Sequence, residues 1–511
     1  MKVFLCDFSS AEYIQVATEL RRRGAEILYW TGFKDKFNEA AKDKADYPAT
    51  IFHTTLDAIR GVPAENFCDE EFPPPSSDLI KEMLECESIT LTMMNRMDFN
   101  NMPYSQKKNL YYKYLQYWNG IIDKFKPDAI FFSEVPHAVY NFVLYSLAKN
   151  RGVLTIMLST STIWGWESII KDYKKGDEKL LREYKKIENE KYTDSELCPE
   201  LKDFYLKVSN PQCDVTPILI TEFNRRAKRA SLILPKWQSI VRFYKSGALW
   251  RAAGGYLRSL VNFKKQPLTL REESGRGLAG LLYLRRVGKI KKHFIQEYNS
   301  LQSAPDFNKK YIYFPLHAQP ERTTSPLGGF YVEQPLAVRT LAASVPDGWL
   351  IYVKEHPSQW SGYDGRSHLC RHKNYYRELV GIKNVRLVPV KTSTYELISR
   401  SAAVATITSS AGWEALSRSK PVLFFGYPWY MNCDGAFRVD GTDSCRSAIL
   451  KIAGGFVPDS QKVLNYFIAF ARTAVRTNQV LRFQFYKNIT PEESVRNIAE
   501  AIWNELKTAI K

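Results

Sequence analysis

The sequence predicts an α/β protein with two Rossmann-like domains, and three observations predict it. Short apolar runs of strand length recur along the chain, each ending on polar, helix-starting residues. The chain opens strand, helix, strand, which is how a Rossmann-like domain begins. Three further strand ends follow one another between Tyr311 and Gly426, spaced as βα units. At 511 residues there is ample chain for two or three domains with cores of their own.

In the first domain, residues 1–165, the start Met1–Asp7 reads as a strand and the helix after it ends at Arg21–Gly24. Glu26–Trp30 is the next strand. No dinucleotide-type glycine fingerprint follows either strand, which argues against NAD or FAD. The amino terminus turns polar too quickly for a signal peptide. Pro127–Phe132 is a later strand, with Ser133–His137 before a helix from Ala138. Glu134 and His137 therefore stand at a strand's carboxyl edge. Glu134 is a candidate nucleophile or general base, and His137 a candidate to orient it or bind a sugar carboxylate. The plainer alternative is a helix-start Glu and a packed His. Asp7, at the end of the first strand, is a weaker candidate.

Residues 166–304 are expected to be helical and strongly basic. Between 221 and 294 there are eighteen Lys or Arg and three Glu, which is +15 of the chain's formal +18. Trp237, Phe243, Trp250, Tyr256 and Phe263 are interleaved with them. Basic residues among large apolar ones suit an anionic membrane surface better than nucleic acid, so no nucleic-acid partner is expected. A solvated basic insertion is the alternative. No apolar run approaches about 18 residues, so no transmembrane helix is expected.

Residues 305–454 carry the motifs. The segment Tyr311–Pro326 opens as an apolar strand and ends in a polar loop with Gln319, Glu321, Arg322, Thr324 and Ser325. Trp349–Lys354 is a second, and Glu355-His356-Pro357 ends it. Pro357 blocks continuation and holds His356 extended. His356 is thereby placed as an acid or donor toward a phosphate or leaving-group oxygen. Ala402–Thr408 is a third, broken by Ser409 and Ser410 before a helix with Gly412 and Glu414. A helix start there points free N–H groups and a positive dipole end at an anion. Glu414 is one turn in, within reach of ribose hydroxyls. The alternative is that Ser409 is only an N-cap. From 455 to 511 the tail is helical, and Thr490-Pro491-Glu492-Glu493 supplies its cap.

The set Pro315-Leu316…Gln319-Pro320-Glu321, Lys354–Pro357, Ser409-Ser410…Glu414 and Lys420-Pro421-Val422…Gly426 resembles the bacterial capsule polysaccharide biosynthesis family. The resemblance is closest over about 310–430. Its best-known members are Kdo transferases that use CMP-Kdo. It implies a GT-B-like fold, with two Rossmann-like domains facing a cleft and C-terminal crossover helices. It implies CMP-phosphate contact for His356-Pro357, and phosphate and ribose contacts for Ser409, Ser410 and Glu414. The family often has Asp after the Gln, where this chain has Pro320-Glu321. Related enzymes retain configuration through a carboxylate nucleophile. The His-Pro element also occurs in bacterial sialyltransferases.

On this reading the donor is a CMP-activated sugar, the acceptor a glycan or lipid-linked glycan, and the enzyme sits peripherally on the cytoplasmic face of the bacterial inner membrane. His356 and the Ser409/Ser410 helix start are expected to meet the phosphate charge, with Arg322 or Lys354 as a further candidate. The eight cysteines form no CxxC, which suits a reduced compartment. No metal and no cofactor are expected. Two other readings remain: a teichoic-acid-type CDP-alditol phosphotransferase, and a non-catalytic membrane or polysaccharide scaffold.

Overall fold

The computed structural model describes residues 1–213, apart from 44, 66, 68–71, 96, 99–101, 162 and 164, and residues 278–510, apart from 361–366 and 479–488. The chain forms two compact units. One joins Met1–Lys186 to Ala469–Lys511; the other comprises the described residues between 187 and 468.

The first unit holds β1 (Lys2–Cys6), β2 (Glu26–Gly32), β3 (Ile51–Thr54), β4 (Ala129–Phe132), β5 (Leu154–Thr160) and β6 (Trp166–Ile170). The second holds β7 (Tyr311–Pro315), β8 (Leu350–Lys354), β9 (Val385–Leu387), β10 (Ala403–Thr406), β11 (Val422–Phe424) and β12 (Ala436–Arg438). The chain then returns to the first unit with β13 (Val475–Arg476).

The first sheet runs β13-β6-β5-β4-β1-β2-β3. β1 to β5 are parallel, and β6 and β13 add an antiparallel edge. Ser10 caps the helix Ala11–Arg22, accepting from the Tyr13 N–H, and Gly24 beyond it takes φ +103°. A left-handed residue of this kind is where a helix ends and glycine is favoured. The helix Pro491–Ile510 lays Val495, Ile498, Ile502 and Leu506 into one core with Val3, Leu5, Val16 and Leu20. Its buried Glu505 pairs with Lys171 at 2.8 Å and Lys179 at 2.5 Å.

The expected boundary at 165 is corrected here. β6 extends the first sheet past it, so 166–304 does not begin as a helical insertion. Most of the basic stretch, 221–277, lies outside the described residues. Its end falls on the helix Leu278–Leu301. Among the described residues no helix is long and apolar enough to cross a membrane.

The second sheet is wholly parallel, in the order β12-β11-β10-β7-β8-β9. Its central strand reads Ala-Val-Ala-Thr and is buried throughout, as a strand covered on both faces must be. Two Rossmann-like sheets in one chain give the α/β, GT-B-like class. In each sheet the strand order reverses once, between β1 and β4 and between β7 and β10. Ligands bind outside the carboxyl ends of strands at such reversals.

Candidate functional site

At the edge of β7 and β8 the centre is a buried ion pair. Arg371 and Glu355 are both fully buried side chains, with Nε to Oε2 at 2.9 Å. Arg371 uses all five N–H donors. Two go to Glu355, one to Gln319 Oε1 at 2.7 Å, one to the Cys370 carbonyl and one to the His317 carbonyl at 3.1 Å. A guanidinium's rigid fork suits such a junction, where an ammonium would leave acceptors unmet. Glu355 also accepts from Tyr376 Oη and from the His356 N–H at 2.7 Å. Gln334 holds His317 and Gln319 from the other side, and Gln319 and Gln359 bond each other reciprocally. Arg371, His317, Gln334 and Gln359 have no local sequence pattern that marks them. Arg371 stands sixteen residues beyond Glu355, and His317 follows an apolar strand.

On this hub stands His356, partly exposed, with Pro357 exposed beside it. The Ser358 N–H donates to His356 Nδ1 at 3.1 Å, so Nε2 carries the proton and is the ring's donor. Burial, opposed by Glu355 and aided by Lys354 and Arg371, lowers its pKa to about 4. That corrects the expected acid with a pKa near working pH. His356 is a neutral hydrogen-bond donor.

Other expected contacts have other partners. Gln319 donates to the Val332 carbonyl and its oxygen serves Arg371 and Gln334, so it braces the hub. Lys354 is buried and donates to the Thr392 carbonyl and to Thr394 Oγ1, fastening the neighbouring turn. Thr324 is buried and bonds the Glu321 carbonyl. Ser325 is buried with its hydroxyl unpartnered. Glu321 is exposed and Arg322 half-exposed on the same loop.

The third edge takes the capping alternative. The helix is short, Ser410–Leu416. Ser409 Oγ accepts from the Ala411 N–H at 3.1 Å, and Ser410 Oγ donates to the buried Glu414 at 3.1 Å. Both hydroxyls are thus engaged inside the turn. At Gly412 a Cβ would overlap the Tyr430 phenol, whose hydroxyl donates to the Ser409 carbonyl at 2.6 Å. Gly412 therefore makes room for packing.

The first unit has its own edge at the reversal between β1 and β4. Asp7, partly exposed, sits at φ +62°. Its carboxylate accepts from Thr55 Oγ1 (2.7 Å), Tyr140 Oη (2.6 Å) and Asn141 Nδ2 (2.8 Å). Burial raises its pKa, and these donors and nearby His137 oppose the rise. Across the reversal, Val139 adopts φ +64°, ψ −78°, with the Tyr140 N–H bonded to the Ala138 carbonyl at 2.8 Å. That is a γ-turn on a β-branched residue, a strained conformation of the kind that gathers at functional sites. It holds the loop where His137 Nε2 meets Glu134 Oε1 at 3.5 Å while His137 Nδ1 donates to the Val135 carbonyl. The structure thus brings Asp7, Glu134 and His137 to one edge. Sequence ranked Asp7 below Glu134; positive φ and three donors have no local sequence signature.

Among the described residues no group of three His, Cys, Asp or Glu could hold a metal ion.

Residues 328–436 match the family described as capsule polysaccharide biosynthesis protein. No curated protein matches the chain. Among solved structures it is similar in fold to the β-Kdo 2,7 transferase of KpsC from Thermosulfurimonas dismutans, at 13% identity over 83% of this chain and 97% of that one, TM-score 0.27. It is also similar to UDP-GlcNAc 2-epimerase from Neisseria meningitidis, at 12% identity over 99% and 100%, TM-score 0.20. The corresponding epimerase of Methanocaldococcus jannaschii gives 9% identity over 91% and 97%, TM-score 0.23.

Proposed function

We propose that this chain is a glycosyltransferase of bacterial surface polysaccharide synthesis, moving a nonulosonic acid of the Kdo type from its CMP form to a glycan or lipid-linked acceptor. One observation carries the reading. His356, directly before Pro357, presents Nε2–H at the carboxyl edge of a doubly wound sheet, its other nitrogen pinned by Ser358. A neutral, pre-set donor there suits the phosphate oxygen on which charge develops as the sugar leaves. The match over 328–436 supports capsule polysaccharide synthesis as the setting. Glu321, exposed, and Arg322, half-exposed, stand on the preceding loop as further candidates to approach a ligand.

The first unit is proposed to receive the acceptor. Asp7, a carboxylate whose pKa is raised by burial, is suited to take a proton from a sugar hydroxyl. Glu134 with His137 is the other candidate for the nucleophile or base. Membrane attachment through 221–294 and a cytoplasmic location belong to the same proposal.

Turnover of CMP-Kdo, followed by release of CMP, tests the reading. Release that depends on His356 supports it; a purified chain that binds CMP but hydrolyses or transfers no CMP-activated nonulosonic acid refutes the donor.

A further inference from the structure

We propose that His317 and His356 are the inner and outer donors of one oxyanion-binding site at the carboxyl edge of β7 and β8. The identity of the natural ligand rests on the nucleotide-sugar reading above; the site itself rests on geometry. Pro315 of β7 pairs with Lys354 of β8, and each histidine lies two residues beyond that pair. The two imidazoles thus leave adjacent parallel strands at equivalent positions. Each ring is fixed by a backbone N–H. Thr408 N donates to His317 Nε2 at 3.1 Å, which places the proton of His317 on Nδ1. Ser358 N does the same for His356 Nδ1, which leaves Nε2–H.

His317 is only 6% exposed, and its Nδ1 has no hydrogen-bond partner. A buried donor left unmade is costly and rare in native structures, so it asks for a ligand or a water. On the same loop the buried Ser325 hydroxyl is also unpartnered. The His317 Nδ1–H can only donate and the Ser325 hydroxyl is able to donate, so an acceptor such as an anionic oxygen satisfies both. The hub keeps both rings in place: Arg371 holds the His317 carbonyl, and Glu355 holds the His356 N–H. Burial also keeps both imidazoles neutral, at about 3 and about 4, so neither needs a counter-charge before the anion arrives. The charged groups facing them, Lys354, Arg371 and Glu355, are already engaged with one another or with the backbone.

Two anions of the proposed donor share this chemistry, the nucleotide phosphate and the sugar carboxylate. The test is ¹⁵N-histidine labelling of the full chain and titration with CMP, cytidine, inorganic phosphate and free Kdo. CMP or phosphate is expected to move both His317 Nδ1 and His356 Nε2, and cytidine neither. A response to Kdo without one to phosphate assigns the site to the carboxylate. His317→Gln places an amide oxygen where Nε2 accepts from Thr408 but has no donor at Nδ1. It is expected to weaken the responding anion about ten- to a hundredfold. His317→Asn, with its amide nitrogen near the Nδ1 position, is expected to retain more of the affinity. Anions that move His356 alone, or a His317→Gln protein that binds as wild type does, overturn the proposal and leave the nucleotide reading standing. Phosphate or Kdo moving both rings while CMP moves neither supports the site and removes the nucleotide. No response of either ring to any anion overturns the proposal.

Discussion

His356 and Asp7 show how one side chain is prepared by its neighbours. His356 has its tautomer set by a backbone N–H and its charge suppressed by burial. Asp7 has its carboxylate set by three donors and its backbone in a left-handed conformation that most residues avoid. If Asp7 is the base toward the acceptor, Asp7→Asn should lower kcat about a hundredfold or more while CMP affinity stays within about twofold. Steady-state kinetics beside a CMP titration checks this. A variant that loses nucleotide affinity and activity in parallel would instead mark Asp7 as a residue that only maintains the fold. His356 was readable from sequence because Pro357 constrains it. The preparation of Asp7 was not, since Thr55, Tyr140 and Asn141 come from distant parts of the chain.

The elements place these groups, and the hub is their junction. Glu355 directly follows β8, and Arg371, sixteen residues further along the chain, reaches it. Removing one partner leaves a buried charge unpaired. Arg371→Met should therefore cost about 3–5 kcal/mol, measured by denaturant unfolding. Adding Glu355→Leu should restore part of that stability, because it removes the orphaned charge. CMP affinity should not return with it, since the His356 N–H would still lack its acceptor. At the third edge the short helix Ser410–Leu416 packs on every face, and Gly412 admits the Tyr430 ring. Gly412→Ala should destabilise by about 1–3 kcal/mol through overpacking. The strands were legible as apolar runs: Ala402–Thr408 contains β10 and Trp349–Lys354 contains β8. The sequence alone does not separate the two roles of Ser409 and Ser410. A serine at a helix start looks the same in sequence whether its hydroxyl caps the helix or faces a ligand, and here it caps.

For the whole molecule, two doubly wound sheets were visible as repeated strand–helix spacing. The return of the carboxyl terminus to the first unit, through β13 and the helix Pro491–Ile510, depends on contacts across the full length of the chain. Stability should also carry a signature of buried imidazoles. His53 and His317 are almost fully buried, with pKa values lowered to about 4 and about 3, mainly by burial. Their unfolded values lie near 6.5. Between these limits the unfolded chain binds more protons, so unfolding free energy rises with pH and falls on acidification from about 6.5 to about 4. Each such group contributes roughly 1.4 kcal/mol per pH unit in that window. Urea unfolding between pH 4 and 7 checks the slope, and His53→Gln should reduce it. The measurement closest to the central claim is thermal unfolding of wild type and His356→Ala with CMP and with cytidine. At a hundred times its dissociation constant, CMP should add about 2.7 kcal/mol to wild-type stability, cytidine much less, and His356→Ala should lose the CMP increment. An equal CMP shift in both proteins, or none in wild type, would contradict the claim that this edge holds the nucleotide phosphate.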